Sequence, residues 1–275
     1  MARQLFIAGC GRSGTTALTT YLNDHPRVCV TTERYKFIPD EVSPEMLSFE
    51  RILEYSSKET NLPESRYRTL LAEKDEASLW WVGDKVPNYS RYLDALAANN
   101  PDGAILFTYR PLAAVAASYA ARSRDPEDSW LGGKNGAKLA VRDWNQANRA
   151  FRRFCLTHPR YPVLVVDYVE FFARPKRSAR ILKQFLGVDF GSDVVSRWQE
   201  RSAKFTDNRE AKLLTEEERC WVEDEADRQA KEWVLGFIAA QGRILSAGNL
   251  DPKRTKSKPI KFSTLKKRIK KFLAT

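Results

Sequence analysis

Residues 4–8, Gln-Leu-Phe-Ile-Ala, run without a break into Gly9-Cys10-Gly11-Arg12-Ser13-Gly14-Thr15-Thr16, and a helical pattern begins at once over Thr15–Asn23. A buried strand, a glycine-rich turn and a helix start in that order make a ready anion site. Backbone N–H groups and the positive end of the helix point into the same space. The glycines admit positive φ and close approach of the backbone. Arg12 adds a forked, permanent positive charge, and Ser13, Thr15 and Thr16 add hydroxyl donors. The helix stops near His25-Pro26, because the residue before a proline is pushed out of the helical region.

The rest of the chain repeats this alternation. Arg27–Thr32 and Trp80–Gly83 read as strands, with a polar, partly helical stretch over residues 40–78 between them. Tyr89–Asn99 reads as a helix ending before Pro101, and Ala104–Tyr109 as an apolar strand. Pro111 suits a helix start, and Leu112–Arg122 continues as an alanine-rich helix. Leu139–Leu156 is a long helix, Val163–Asp167 a further strand, and Arg177–Leu186 a helix closed by Gly187. Residues 215–242 read as one long helix. Trp80, Trp81, Trp144 and Trp198 are expected in the core. Strands alternating with helices predict an α/β domain, a parallel sheet covered on both faces. Ligands of such sheets bind beyond the carboxyl ends of the strands.

With 43% hydrophobic residues in 275, there is material for one large core over residues 1–250. No apolar run approaches the roughly 18–20 residues that span a bilayer, and the start does not read as a signal peptide; a cytoplasmic protein is expected. Four scattered cysteines without a C-x-x-C pair and only two histidines argue against a zinc site. The net charge of +11 is misleading: residues 251–275 hold ten Lys and Arg against one Asp, a net +9, which leaves +2 for the other 250. A nucleic-acid-binding domain would spread its charge over a face, so no nucleic-acid partner is expected. In the tail, Leu265, Ile269, Phe272 and Leu273 recur at helical spacing among basic residues. Such a segment can lie on an anionic membrane surface, peripherally, or remain solvated.

Two phosphate-binding patterns other than a phosphosulfate loop compete for residues 9–16. Gly9 to Gly14 has the spacing of a Walker loop, but Thr15 stands where the lysine belongs. Gly9, Gly11 and Gly14 also match G-x-G-x-x-G, with Glu33 about twenty residues on, as in an NAD(P)-dependent oxidoreductase. That alternative leaves Arg12 and the two threonines without a role.

Arg12-Ser13-Gly14-Thr15-Thr16, between a strand and a helix ending at His25-Pro26, resembles the opening of sulfotransferases that use 3′-phosphoadenosine 5′-phosphosulfate (PAPS). The closest look is to protein-tyrosine and heparan-type enzymes and their bacterial relatives. Val28–Val30 and Glu33-Arg34-Tyr35-Lys36-Phe37 continue the likeness, as do a strand leading into Arg110 with Ser118 eight residues on, Asp84-Lys85-Val86-Pro87-Asn88-Tyr89, and Val163–Tyr168 with Phe185-Leu186-Gly187-Val188. Arg110-Pro111 stand directly together, where the family often has one residue between. The matches run over residues 4–188.

The resemblance implies a P-loop-like sulfotransferase fold and a set of roles. Gly11, Arg12, Ser13, Gly14, Thr15 and Thr16 would hold the 5′-phosphosulfate, and Arg110 with Ser118 the 3′-phosphate. Glu33 would be the general base, and Lys85 and Arg12 would stabilise charge at the reacting centre. PAPS would be the co-substrate and 3′-phosphoadenosine 5′-phosphate (PAP) the product, with no metal. The acceptor, a hydroxyl or amine on a small molecule, glycan or protein tyrosine, would be contacted by loops such as 122–136. Arg209 and Lys212 would lie in a late basic loop over the nucleotide.

Overall fold

The computed structural model describes residues 2–60, 62–128, 130, 135–203 and 214–247. Arg209, Lys212 and the basic tail 251–275 lie outside the described residues. Five parallel strands, β1 (Arg3–Gly9), β2 (Val28–Thr32), β3 (Trp81–Lys85), β4 (Ala104–Tyr109) and β5 (Val163–Asp167), form one sheet in the order β2-β3-β1-β4-β5. Helices cover both faces, and this is the α/β architecture that the alternation predicts.

The strands are apolar throughout because both of their faces are buried. Successive side chains still part to opposite sides. Leu5 and Ile7 of β1 pack into one core layer with α1 (Thr15–Asn23), α8 (Pro175–Leu186) and α9 (Gly191–Ser202). Phe6 and Ala8 pack into the other with α4 (Leu93–Asn99), α5 (Leu112–Ser123), α6 (Gly136–Thr157) and α11 (Arg228–Ala247). Phe107 of β4 stacks on Phe151 of α6, ring centroids 4.1 Å apart, and ties that layer to the sheet. Among the described residues no helix is long and apolar enough to cross a membrane.

Several predicted elements change shape for identifiable reasons. The stretch 40–78 holds α2 (Phe49–Leu53), α3 (Glu64–Ala72) and a short 3₁₀ turn, Glu76–Ser78. The helix expected over Tyr89–Asn99 divides into a 3₁₀ segment, Pro87–Arg91, and α4, because Tyr89 turns inward to hydrogen-bond Asp84. The single helix expected over 215–242 is two, α10 (Glu216–Asp224) and α11. Asp227 accepts from the Ala230 N–H at 2.8 Å and so caps α11. Asn145 on α6 accepts from the Asp227 N–H at 2.9 Å and donates to the Glu225 carbonyl at 2.8 Å, satisfying both sides of the break. Trp81, Trp144 and Trp198 are buried, but Trp80 is 45% exposed, its ring lying under the Arg27 guanidinium. Gly187 closes α8 at φ 79°, as its sequence position predicts.

The end of α1 carries a pH-sensitive contact. His25 accepts from the Arg27 N–H at its Nδ1, 3.1 Å away, so its Nε2 donates to the Asp189 carbonyl at 3.0 Å. Burial, helped by Lys74 and Arg27, lowers its pKa against the opposing pull of the Asp189 hydrogen bond. The unfolded chain therefore binds the proton more tightly, near the ordinary value of about 6.5, so the stability His25 contributes is present above that pH and is lost as pH falls below it. The urea midpoint is expected to drop between about pH 7 and 5. His25→Gln should flatten that slope; an unchanged slope would disprove the assignment.

Candidate functional site

The five strands point their carboxyl ends to one side, and a cleft of about 590 Å³ opens there. It is lined by Gly11, Arg12, Gly14, Thr15 and Thr16 from the first loop, Glu33 after β2, Lys85 at the end of β3 and Arg110 after β4. Residues far apart in the chain thus meet through the strand-end rule alone.

The loop 10–14 is built tightly. Gly14 sits at φ 93°, and a Cβ there would meet Tyr168 at 2.6 Å, so only glycine fits. A Cβ on Gly11 would meet the Tyr119 hydroxyl at 2.5 Å. Ser13 differs from expectation: it is buried, and its hydroxyl donates to the Cys10 carbonyl at 2.6 Å and shares a 2.6 Å hydrogen bond with Thr108 Oγ1. It pins the loop to β4 from beneath and does not line the cleft. Cys10 is also buried, and burial pushes its thiol up, so it packs as a small apolar group. The N–H groups of the first turn of α1 have no partners inside the helix. No acidic side chain occupies that turn.

Arg12 and Arg110 come together. Arg12 donates from Nε to Ser118 Oγ at 3.0 Å, and Arg110 donates from Nη1 to the Arg12 carbonyl at 2.9 Å. The Arg110 guanidinium lies 4.2 Å over the Tyr168 ring, an arrangement that orients a planar cation without neutralising it. Trp144, in the core, donates to the Arg110 carbonyl at 2.9 Å, so the packing of α6 sets the position of this arginine.

Glu33 and Lys85 form an ion pair, Nζ to Oε1 at 2.8 Å, with the lysine side chain 2% exposed and the glutamate 22%. Register explains the meeting: Thr32 pairs with Lys85 across β2 and β3, and the Glu33 N–H donates to the Lys85 carbonyl at 2.8 Å. Two non-glycine residues have positive φ among those described, Arg12 at 62° and Glu33 at 56°. Both lie in this cleft, where backbone strain tends to collect.

Among the described residues seven more line the cleft, including Tyr168 and Phe172, to which sequence reasoning gave no role, and Arg122 and Trp130, which lie in the stretch 122–136 expected to contact the acceptor. Tyr168 and Phe172 come from α7 (Tyr168–Ala173), directly after β5, so the strand-end rule extended to β5 would have found them. Arg122 stands one helical turn after Ser118 on α5, a spacing that puts both on one face. It pairs with Asp128 and lies 4.6 Å over Trp130, which also lines the cleft.

The dinucleotide alternative does not fit this topology. In that fold the second strand lies beside the first, which carries its acidic residue to the ribose. Here β3 separates β1 from β2.

A family model described as the sulfotransferase family matches residues 4–192. Among solved structures, the sulfotransferase domain from the curacin biosynthetic pathway is similar with a TM-score of 0.50 at 17% identity, covering 100% of this chain and 98% of that one. A sulfotransferase from Alicyclobacillus acidocaldarius gives a TM-score of 0.48 at 19% identity, covering 75% and 94%. No curated protein matches.

Proposed function

This chain belongs to the sulfotransferase family, and from that membership we propose that it transfers a sulfuryl group from PAPS to a hydroxyl or amine acceptor. The observation that carries the reading is that Arg12 and Arg110, after β1 and β4, line one cleft as two cationic elements joined by the 2.9 Å contact from Arg110 to the Arg12 carbonyl. Ser118, which is not among the lining residues, accepts from Arg12 at 3.0 Å. A single adenosine bearing charge at both its 3′ and 5′ positions matches two such elements. The donor set suits that ligand: two arginines, a helix start with no side-chain cap and no acid in the first turn.

PAPS supplies the sulfuryl group, which moves as the acceptor–sulfur bond forms and the bond from sulfur to the phosphate oxygen breaks. Around that event the chain neutralises, positions and takes up a proton. Gly11, Arg12 and Gly14–Thr16 receive the 5′ end by charge and oriented dipoles. Arg110 and Ser118 receive the 3′-phosphate. Glu33 accepts the acceptor's proton. Lys85 stabilises charge at the reacting centre, which requires it to turn from Glu33 toward the new anion.

Thermal shift with PAP and with NAD tests the reading. PAP at about 100 times its dissociation constant should stabilise the fold by about 2.7 kcal/mol, and NAD by nothing measurable. Stabilisation by NAD alone would overturn the proposal. Labelled PAPS offered with a phenol, an oligosaccharide and a tyrosyl peptide then identifies the acceptor.

A further inference from the structure

Asp84 precedes Lys85 on β3 and pairs across the sheet with Thr31, two residues before Glu33, yet its own side chain lines no part of the cleft. Adjacent residues of a strand project to opposite faces, so Lys85 reaches the cleft while Asp84 points beneath it. The Asp84 carboxylate is fully buried and accepts four hydrogen bonds. Oδ1 accepts from Thr31 Oγ1 at 2.8 Å and from the Arg34 N–H at 3.1 Å. Oδ2 accepts from the Tyr35 N–H at 3.2 Å and from the Tyr89 hydroxyl at 2.8 Å.

All four partners are neutral donors, which is an expensive way to bury a carboxylate. Two of them are successive backbone N–H groups, those just after Glu33, forming the kind of concave cradle that binds anions elsewhere. The chain fills this cradle with its own carboxylate. The result is a clamp: the turn that holds Glu33 at φ 56° is fastened to β3 at three consecutive amides, Glu33 to the Lys85 carbonyl and the next two to Asp84. Through Tyr89 the same carboxylate fastens the 3₁₀ segment that follows Lys85.

We infer that Asp84 is a positioning residue that acts through Glu33, holding the base in the left-handed turn from which its carboxylate enters the cleft; this rests on the reading of Glu33 as the base. An amide cannot substitute. Asparagine presents donors on one side, and on either side one of the two backbone N–H groups then faces another donor. The turn is released, and a displacement of about 1 Å at a reacting group can cost about 10²-fold in rate.

Three variants test this with labelled PAPS and the fastest acceptor of the panel: Asp84→Asn, Glu33→Gln and the double variant. Asp84→Asn should lower kcat by about 10²-fold and leave PAP affinity within about threefold. Amide exchange at Arg34 and Tyr35 should quicken, while the loop 9–16 keeps its protection. Because the effect passes through Glu33, the double variant should turn over no more slowly than Glu33→Gln alone. Additive losses, unchanged amide exchange, or a kcat for Asp84→Asn within about threefold of the parent would overturn the inference. If Glu33→Gln itself turns over normally, the base reading fails first; if only Asp84→Asn does, the positioning role alone fails. Should Asp84→Asn not fold, Tyr89→Phe removes one donor without touching the turn amides. It should lower kcat by about threefold to tenfold with PAP affinity kept, and a parental kcat would refute the clamp.

Discussion

Replacing Arg110 with alanine is expected to weaken PAP binding by about 10³-fold, the loss of two charge-assisted hydrogen bonds of about 2 kcal/mol each. The side chain is nearly buried, held over Tyr168 and joined to the Arg12 carbonyl, so it is pre-aimed and loses little freedom on binding. Its removal takes away a charge and a strut of the loop together. Arg110→Lys should recover only part of the affinity, because a point charge cannot reproduce the fork or the stacking on Tyr168. Isothermal titration decides the matter. Affinity for PAP within about tenfold of the parent in Arg110→Ala would remove this arginine from the 3′-phosphate and leave the two-element cleft without its second anchor.

Glu33→Gln is expected to reduce kcat by about 10³-fold while PAP affinity stays unchanged, since general-base catalysis contributes roughly 10²–10⁴-fold. The amide keeps an oxygen that can accept from Lys85, so the buried ammonium is not stranded and the fold is retained. The amide cannot take a proton from the acceptor. Steady-state turnover against PAP titration separates the two quantities. A fall in affinity that tracks the fall in kcat would show Glu33 supporting the nucleotide site and not proton transfer.

The sheet and the first loop were legible because their signals are local. The apolar strand Ala104–Tyr109 and the helix Thr15–Asn23 have the bounds that their sequence suggests, and Gly187 ends α8 where a left-handed closing residue is needed. Glu33, Lys85, Arg12 and Arg110 could be gathered from a single rule, that binding residues follow strands. What escaped was set at long range. Near residue 226 the one local signal is Asp227, a capping side chain among many acids; the group that satisfies both sides of the break is Asn145, eighty residues away. Ser13 reads as a hydroxyl offered to a ligand, and only the approach of Thr108 from β4 shows that it faces inward. Trp80 and Trp81 are indistinguishable by type. The strand's alternation sends Trp81 into the core, where its indole N–H reaches the Leu186 carbonyl at 2.9 Å, and Trp80 outward to Arg27.

Arg12 and Glu33 hold backbone angles that a side chain with a Cβ adopts at a cost of about 1 kcal/mol or more. Glycine would take either turn without that cost, but at 33 it would leave the buried Lys85 ammonium without its carboxylate, a loss of about 3–5 kcal/mol that outweighs the strain relieved. Heat resistance and the side chain presented to the cleft therefore pull apart at position 12 and go together at position 33. A library of this chain sorted for thermal survival alone would drift toward glycine at 12 while keeping an acid or amide at 33.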